Sequence, residues 1–241
     1  MLVRVPKSET FSGDSGWYFM EIPRTGTSTI ERTLRHYFPD AKAPYQKHWP
    51  IRHDDNPYFR KLASVVSVRN PFSRAVSCWQ YFTKPDAYTF QSWLEERLRE
   101  GFCDVFIEAR PQSFWYELQP AWKERGTSVV SSMAAWDFVI RQESLEEDFH
   151  NFLRAVCDTF MFEAIDPLPR YNDINGPWVN KVQARPSRDR PWQEYYCKKT
   201  EELVLELYDS DFEVFSDRYS KDLSDARGFA KGAFVSATPS P

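Results

Sequence analysis

The chain has 241 residues, of which 41% are apolar and 27% charged. That is enough apolar material for one large folded unit or two small ones, and it excludes global disorder. A net charge of −4 argues against a strongly basic nucleic-acid surface, so any basic site must be local.

Residues 1–14 are polar and read as a flexible N-terminal segment, without the apolar stretch of a signal peptide. No window approaches eighteen apolar residues, so no transmembrane helix is expected and the chain is assigned to the cytoplasm. The main domain spans 15–223. Its first element is "GWYFMEI" (16–22), an apolar and aromatic run between Gly16 and Pro23 that predicts a buried strand. Ile30, Leu34 and Tyr37/Phe38 then recur at helical spacing over 28–38, and Pro39 closes that helix. Residues 39–57 hold four prolines and read as a long loop. "LASVVSV" (62–68) is a second short β-branched strand, followed by the turn "NPF" and a helix over 72–82.

An amphipathic helix is predicted over 89–100, ending at Gly101, and another over 112–125. "WDFVIRQ" (136–142) reads as a third strand. A helix over 144–160 follows it, with Ser144 and Glu147 placed as a capping box. Residues 166–191 are rich in Pro, Asn, Gly and Arg. A last helix is expected over about 192–208, and the small polar residues 224–241 read as a disordered tail. Cys78, Cys103, Cys157 and Cys197 have neither metal-ligand spacing nor the density of a disulfide scaffold, so free thiols are expected. Short apolar strands alternating with helices predict a parallel sheet covered on both faces, an α/β fold. In such sheets ligands lie beyond the carboxyl ends of the strands.

Two loops follow two of these strands. The first is Pro23-Arg24-Thr25-Gly26-Thr27-Ser28-Thr29. Gly26 permits a tight turn, and the amides of Gly26 to Thr29 open a helix whose dipole favours an anion. Thr25, Thr27, Ser28 and Thr29 add hydroxyls, and Arg24 adds a planar cation. Alone, the same residues also describe an ordinary capped turn. No Gly-Lys-Ser/Thr follows, so the loop is not the common nucleotide loop of P-loop kinases. The second stretch is "VVSVRNPFSRAVSCWQYF" (65–82). Arg69 leaves the strand, Ser77 lies two turns into the helix and Arg74 falls between them. An Arg and a Ser so placed can clamp a phosphate, although such arginines are more often solvated or paired with acids.

Taken in this order, "IPRTGTSTI" and "SVRNPFSRAVS" resemble the sulfotransferases that use 3'-phosphoadenosine 5'-phosphosulfate (PAPS). In that family the first loop reads roughly Pro-Lys-Thr-Gly-Thr-Thr/Ser and holds the 5'-phosphosulfate. The second reads roughly Val-Arg-Asn/Asp-Pro-hydrophobic-x-Arg-hydrophobic-x-Ser and holds the 3'-phosphate. "DFVIRQESLEEDF" (137–149), "VNK" (179–181), the following "YY" and "ELYDSDFEVF" (206–215) are similar to later segments of its carbohydrate-type members. The resemblance spans roughly 17–215. It implies a P-loop-like three-layer fold with a central, mainly parallel sheet. It also implies sulfuryl transfer from PAPS to a small-molecule or glycan hydroxyl, with adenosine 3',5'-bisphosphate as product and no bound metal required. Arg69 and Ser77 would hold the 3'-phosphate and Thr25, Gly26, Thr27, Ser28 and Thr29 the 5' end, while Lys181 and Arg185 could reach the phosphates or an anionic acceptor.

Arg24 stands where the family usually has Lys. It keeps the charge but does not readily give up a proton, so it is assigned as an electrostatic stabiliser of the developing charge. The general base is expected from His48 or, second, His53, in the loop before the second strand. Glu21, Asp54 and Asp55 are carboxylate alternatives, Glu143 is read as structural, and His36 and His150 are read as surface residues. Trp49 or Trp178 could stack on adenine or a sugar. A non-catalytic nucleotide- or sulfated-ligand-binding protein on the same fold is the alternative function.

Overall fold

A computed structural model describes residues 2–4, 16–38, 63–83, 87–102, 109–117, 138–156, 191–216 and 218–224. Its sheet has the order β1-β2-β3-β4. Strands β2 (Gly16–Met20), β3 (Ala63–Val68) and β4 (Phe138–Arg141) are parallel, in a register that sets Met20 beside Val66 and Val68 beside Arg141. The three parallel strands therefore end together, and their following residues emerge at one edge.

Helix α1 (Thr27–Tyr37) follows β2, and α2 (Pro71–Phe82) follows β3. Next come α3 (Phe90–Glu100) and the short α4 (Ser113–Glu117). After β4, a 3-10 turn over Gln142–Ser144 leads into α5 (Leu145–Val156). The chain closes with α6 (Lys198–Leu207) and α7 (Asp209–Val214).

Alternation along β2 explains how the sheet is buried. Successive side chains of a strand point to opposite faces. Trp17 and Phe19 enter a cluster with Ile30 and Leu34 of α1 and Phe149, Phe152 and Leu153 of α5. Tyr18 and Met20 enter another with Trp115, Val214, Phe215 and Tyr219. Both faces of β2 thus carry large side chains, which is why the strand reads as an unbroken apolar run. A third cluster joins α2, α3, α6 and α7 through Phe72, Trp93, Leu203 and Phe212.

Three expectations are corrected. Leu2–Arg4, placed in the flexible leading segment, forms β1 and pairs antiparallel with β2. Three residues are too few to show a strand period. The expected continuous helix over 192–208 is broken. Trp192–Tyr195 form a 3-10 turn, Tyr196 and Cys197 are extended, and α6 starts only where Thr200 Oγ1 accepts from Cys197 N–H at 2.9 Å. Ser144 does not pair with Glu147 as a capping box would require. Its hydroxyl donates to Asp148 Oδ2 at 2.9 Å, because Asp148 is already held at the end of β4 by Arg141. Residues 118–125 and 157–160 of the predicted helices lie outside the described residues.

Candidate anion-binding site

The first loop turns by two left-handed residues. Gly26 has φ 84°, which glycine adopts without strain. Arg24 has φ 66°, which costs an L-residue roughly 1 kcal/mol. Two contacts of the Arg24 side chain offset that cost. Its Nε–H donates to Ser77 Oγ at 3.0 Å, and its guanidinium lies 4.4 Å from the centroid of the Tyr81 ring. Each contributes on the order of 1 kcal/mol. Ser77 and Tyr81 are one helical turn apart on α2, so both face the loop.

Thr25 anchors the turn from within. Its side chain is fully buried, and its hydroxyl donates to Ile22 O at 2.8 Å. That uses its only proton, so Ser67 must donate the 2.6 Å hydroxyl bond between them. The Thr25 hydroxyl, expected at a phosphate, is turned inward to β3. Thr27 and Thr29 are also buried, and Ser28 is half-exposed at the start of α1. Gly26 is the N-cap, and its carbonyl accepts from Thr29 N–H and Ile30 N–H. The side chains of Gln142 and Leu145 lie against Gly26, so the strand-end turn after β4 borders this loop.

The second loop is fixed at each residue. Asn70 caps α2 by accepting from Phe72 N–H and Ser73 N–H, with Pro71 in the first helical turn. Asn70 N–H donates to Glu143 Oε1 at 2.7 Å, and Tyr219 O–H donates to Glu143 Oε2 at 2.8 Å. Glu143 therefore is structural, but as a tie between β4 and the Arg69–Asn70 turn rather than at its own helix cap. The Arg69 backbone is held by Gln112, whose Oε1 accepts from Arg69 N–H at 2.9 Å and whose Nε2 donates to Arg69 O at 2.8 Å.

The Arg69 guanidinium reaches back across the edge. Its Nε–H donates to Ser73 Oγ at 2.8 Å and its Nη1 to Arg24 O at 3.4 Å. These partners are neutral. Burial works against the guanidinium's charge and lowers its pKa, while the Glu143 carboxylate works to keep it charged. A desolvated cation on neutral partners favours an approaching anion.

Arg74 behaves otherwise. It is fully buried and donates to two carbonyls, Pro23 O at 3.0 Å and Arg110 O at 2.7 Å. It is a strut that fastens the first loop to α2 from within the fold. The structure thus brings together Arg24, Arg69, Ser77 and the start of α1, with Arg74 beneath them.

The remaining candidates divide. His48, His53, Asp54, Asp55, Lys181, Arg185, Trp49 and Trp178 lie outside the described residues. His36 is exposed on α1 as expected, whereas His150 is half-buried with its Nε2 enclosed. Cys78 is a buried free thiol and Cys197 an exposed one. Tyr196, of the "YY" pair, donates to Phe72 O at 2.8 Å and packs its ring against Phe72, so that segment supports α2. Tyr81 and Gln112 lie outside the two motifs "IPRTGTSTI" and "SVRNPFSRAVS". The four-residue spacing from Ser77 could have singled out Tyr81, but nothing local marks Gln112.

Among the described residues, no helix is long and apolar enough to cross a membrane. No family model matches the chain, and neither a curated protein nor a solved structure shows significant similarity to it.

Proposed function

We propose that this chain is a PAPS-dependent sulfotransferase on a P-loop-like three-layer fold, acting on a hydroxyl acceptor of carbohydrate type. The reading rests on the two motifs and on one observation. Arg24 and Arg69 leave adjacent parallel strands at one sheet edge, where Arg24 Nε–H donates to Ser77 Oγ and Arg69 Nη1 donates to the Arg24 carbonyl. Two guanidinium groups, a serine hydroxyl and a helix start suit a ligand with a phosphate group at each end.

PAPS supplies an activated sulfuryl group, whose transfer breaks the S–O bond to the 5'-phosphate and leaves that phosphate with the electron pair. The chain's own residues bind and neutralise charge. Arg69 and Ser77 hold the 3'-phosphate, and the amides that open α1 face the 5' end. Arg24 stabilises charge that develops on the leaving oxygen. The acceptor's proton goes to a base, assigned to His48 or His53. Such a reaction draws mainly on positioning and electrostatics, which a rigid edge provides.

The alternative is a binding protein that uses the same edge without transfer. It is favoured by the Arg24 side chain, which is committed to Ser77 and Tyr81. Incubation with sulfur-labelled PAPS and a panel of glycans separates the two. The enzyme reading expects labelled glycan and stoichiometric adenosine 3',5'-bisphosphate. Tight bisphosphate binding with no labelled product across the panel would select the binding protein.

A further inference from the structure

Gln112 satisfies both backbone groups of Arg69 with one side-chain amide, as a neighbouring strand would. It is fully buried, and it lies 43 positions away in sequence. Its Nε2 also donates to Asp211 Oδ2 at 3.3 Å, while Asp211 Oδ1 accepts from Ser113 N–H at 2.8 Å. A carboxylate offers only acceptors, so it fixes which end of the Gln112 amide faces it. Reversed, that amide would set oxygen against oxygen and would oppose Arg69 N–H with another donor.

We infer that Gln112, oriented by the buried Asp211, is a positioning residue that aims the Arg69 guanidinium at the terminal phosphate of the ligand. The inference rests on the sulfotransferase reading for the identity of that ligand. The reason lies in the length of the arginine. A small backbone rotation at Arg69 is amplified along its side chain, and misplacement by about an ångström is costly at a phosphate contact. The next residue is held as well, since Asn70 N–H is bound by Glu143. The turn is thus fastened on one side by Gln112 and on the other by the residues after β4. Buried backbone groups require partners whatever their role, so a test must read the Arg69 side chain and the ligand rather than stability alone.

Two variants serve. Gln112→Met keeps length and removes both bonds. Asp211→Asn keeps shape but has a single acceptor oxygen, so its NH2 opposes a donor, either the Gln112 Nε2 or the Ser113 N–H. Both are compared with the unaltered chain by calorimetric titration with adenosine 3',5'-bisphosphate and by NMR exchange of the Arg69 Nε–H. The expected result is binding weakened roughly tenfold or more in each variant that folds, with faster Nε–H exchange. Variants that lose thermal stability but bind normally and keep a protected Nε–H would overturn the inference. If the unaltered chain fails to bind the bisphosphate, the sulfotransferase reading falls. The positioning role is then decided by the exchange rates alone, and unchanged rates in both variants would refute it.

Discussion

The Nε–H of Arg24 donates to Ser77 Oγ at 3.0 Å, and this bond joins the turn after β2 to the second turn of α2. Fifty-three positions separate the two residues. Parallel pairing of β2 with β3 makes them neighbours, because each strand releases its chain at the same edge. Ser77 has one hydroxyl, so a phosphate bound there shares it with Arg24 or takes it from Arg24. The Tyr81 ring keeps a second hold on the guanidinium.

On the proposed reading, replacement of Arg24 should separate binding from transfer. Arg24→Ala is expected to lower sulfuryl transfer by roughly 10²–10³-fold, the scale of a lost group that stabilises developing charge. Bisphosphate affinity should fall less, since the product carries no sulfuryl group. Steady-state kinetics beside calorimetry measures both, and an equal loss in the two would assign Arg24 to binding alone.

On the proposed reading, Arg69→Ala removes a charge-assisted bond to the 3'-phosphate. It is expected to weaken bisphosphate binding by about 1.5–3 kcal/mol. Adenosine 5'-phosphate, which lacks the 3' group, should bind both forms alike. Affinity for the bisphosphate that survives the substitution would remove Arg69 from the site.

Gly26→Ala tests the turn itself. A methyl group at Gly26 would meet Gln142 and Leu145 at ordinary contact distances of 3.4 Å and 3.5 Å, so space is not the obstacle. The obstacle is φ 84°, and the expected loss is roughly 1 kcal/mol of stability. Urea denaturation checks it, and an unchanged midpoint would show that the turn relaxes without strain.

Asp148 carries a pH dependence whose sign is fixed by its surroundings. Burial alone would raise its pKa, but hydrogen bonds from the Arg141 side chain and backbone outweigh it, and the carboxyl lies below its ordinary range. Arg141 grips both oxygens at 2.8 Å and 2.9 Å. A lowered folded pKa stabilises the fold above the unfolded value of about 3.9 and ceases to do so as pH falls through the folded value. The Arg141 side chain is 39% exposed, so the contribution is kept to about 1 kcal/mol. Asp148→Asn should therefore be less stable than the unaltered chain at neutral pH, with the gap closing as pH falls below about 4. A gap that persists in acid would contradict this account.

The strands were legible where burial left its mark. "GWYFM" and "ASVVSV" are short apolar runs because β2 and β3 are internal strands of the sheet. The edge strand Leu2–Arg4 was not, since three residues carry no period. The site was legible to the level of its loops. Arg24, Gly26, Arg69 and Ser77 could be singled out because strand, turn and helix start follow one another locally. Where their side chains point could not. The inward turn of the Thr25 hydroxyl depends on Ser67, and the anchoring of Arg69 depends on Gln112 and Glu143, all distant in sequence. Arg74 shows the same limit, as its two carbonyl partners come from loops that only the fold brings together.

The central claim is that this sheet edge holds a nucleotide with phosphates at both its 3' and 5' ends. Thermal unfolding in the presence of adenosine 3',5'-bisphosphate, beside ATP with Mg²⁺, tests it most directly. A ligand at 100 times its dissociation constant stabilises the folded state by about 2.7 kcal/mol. The account predicts a midpoint raised by the bisphosphate in a dose-dependent way, and little or no shift with ATP–Mg²⁺. A shift with ATP–Mg²⁺ and none with the bisphosphate would contradict it.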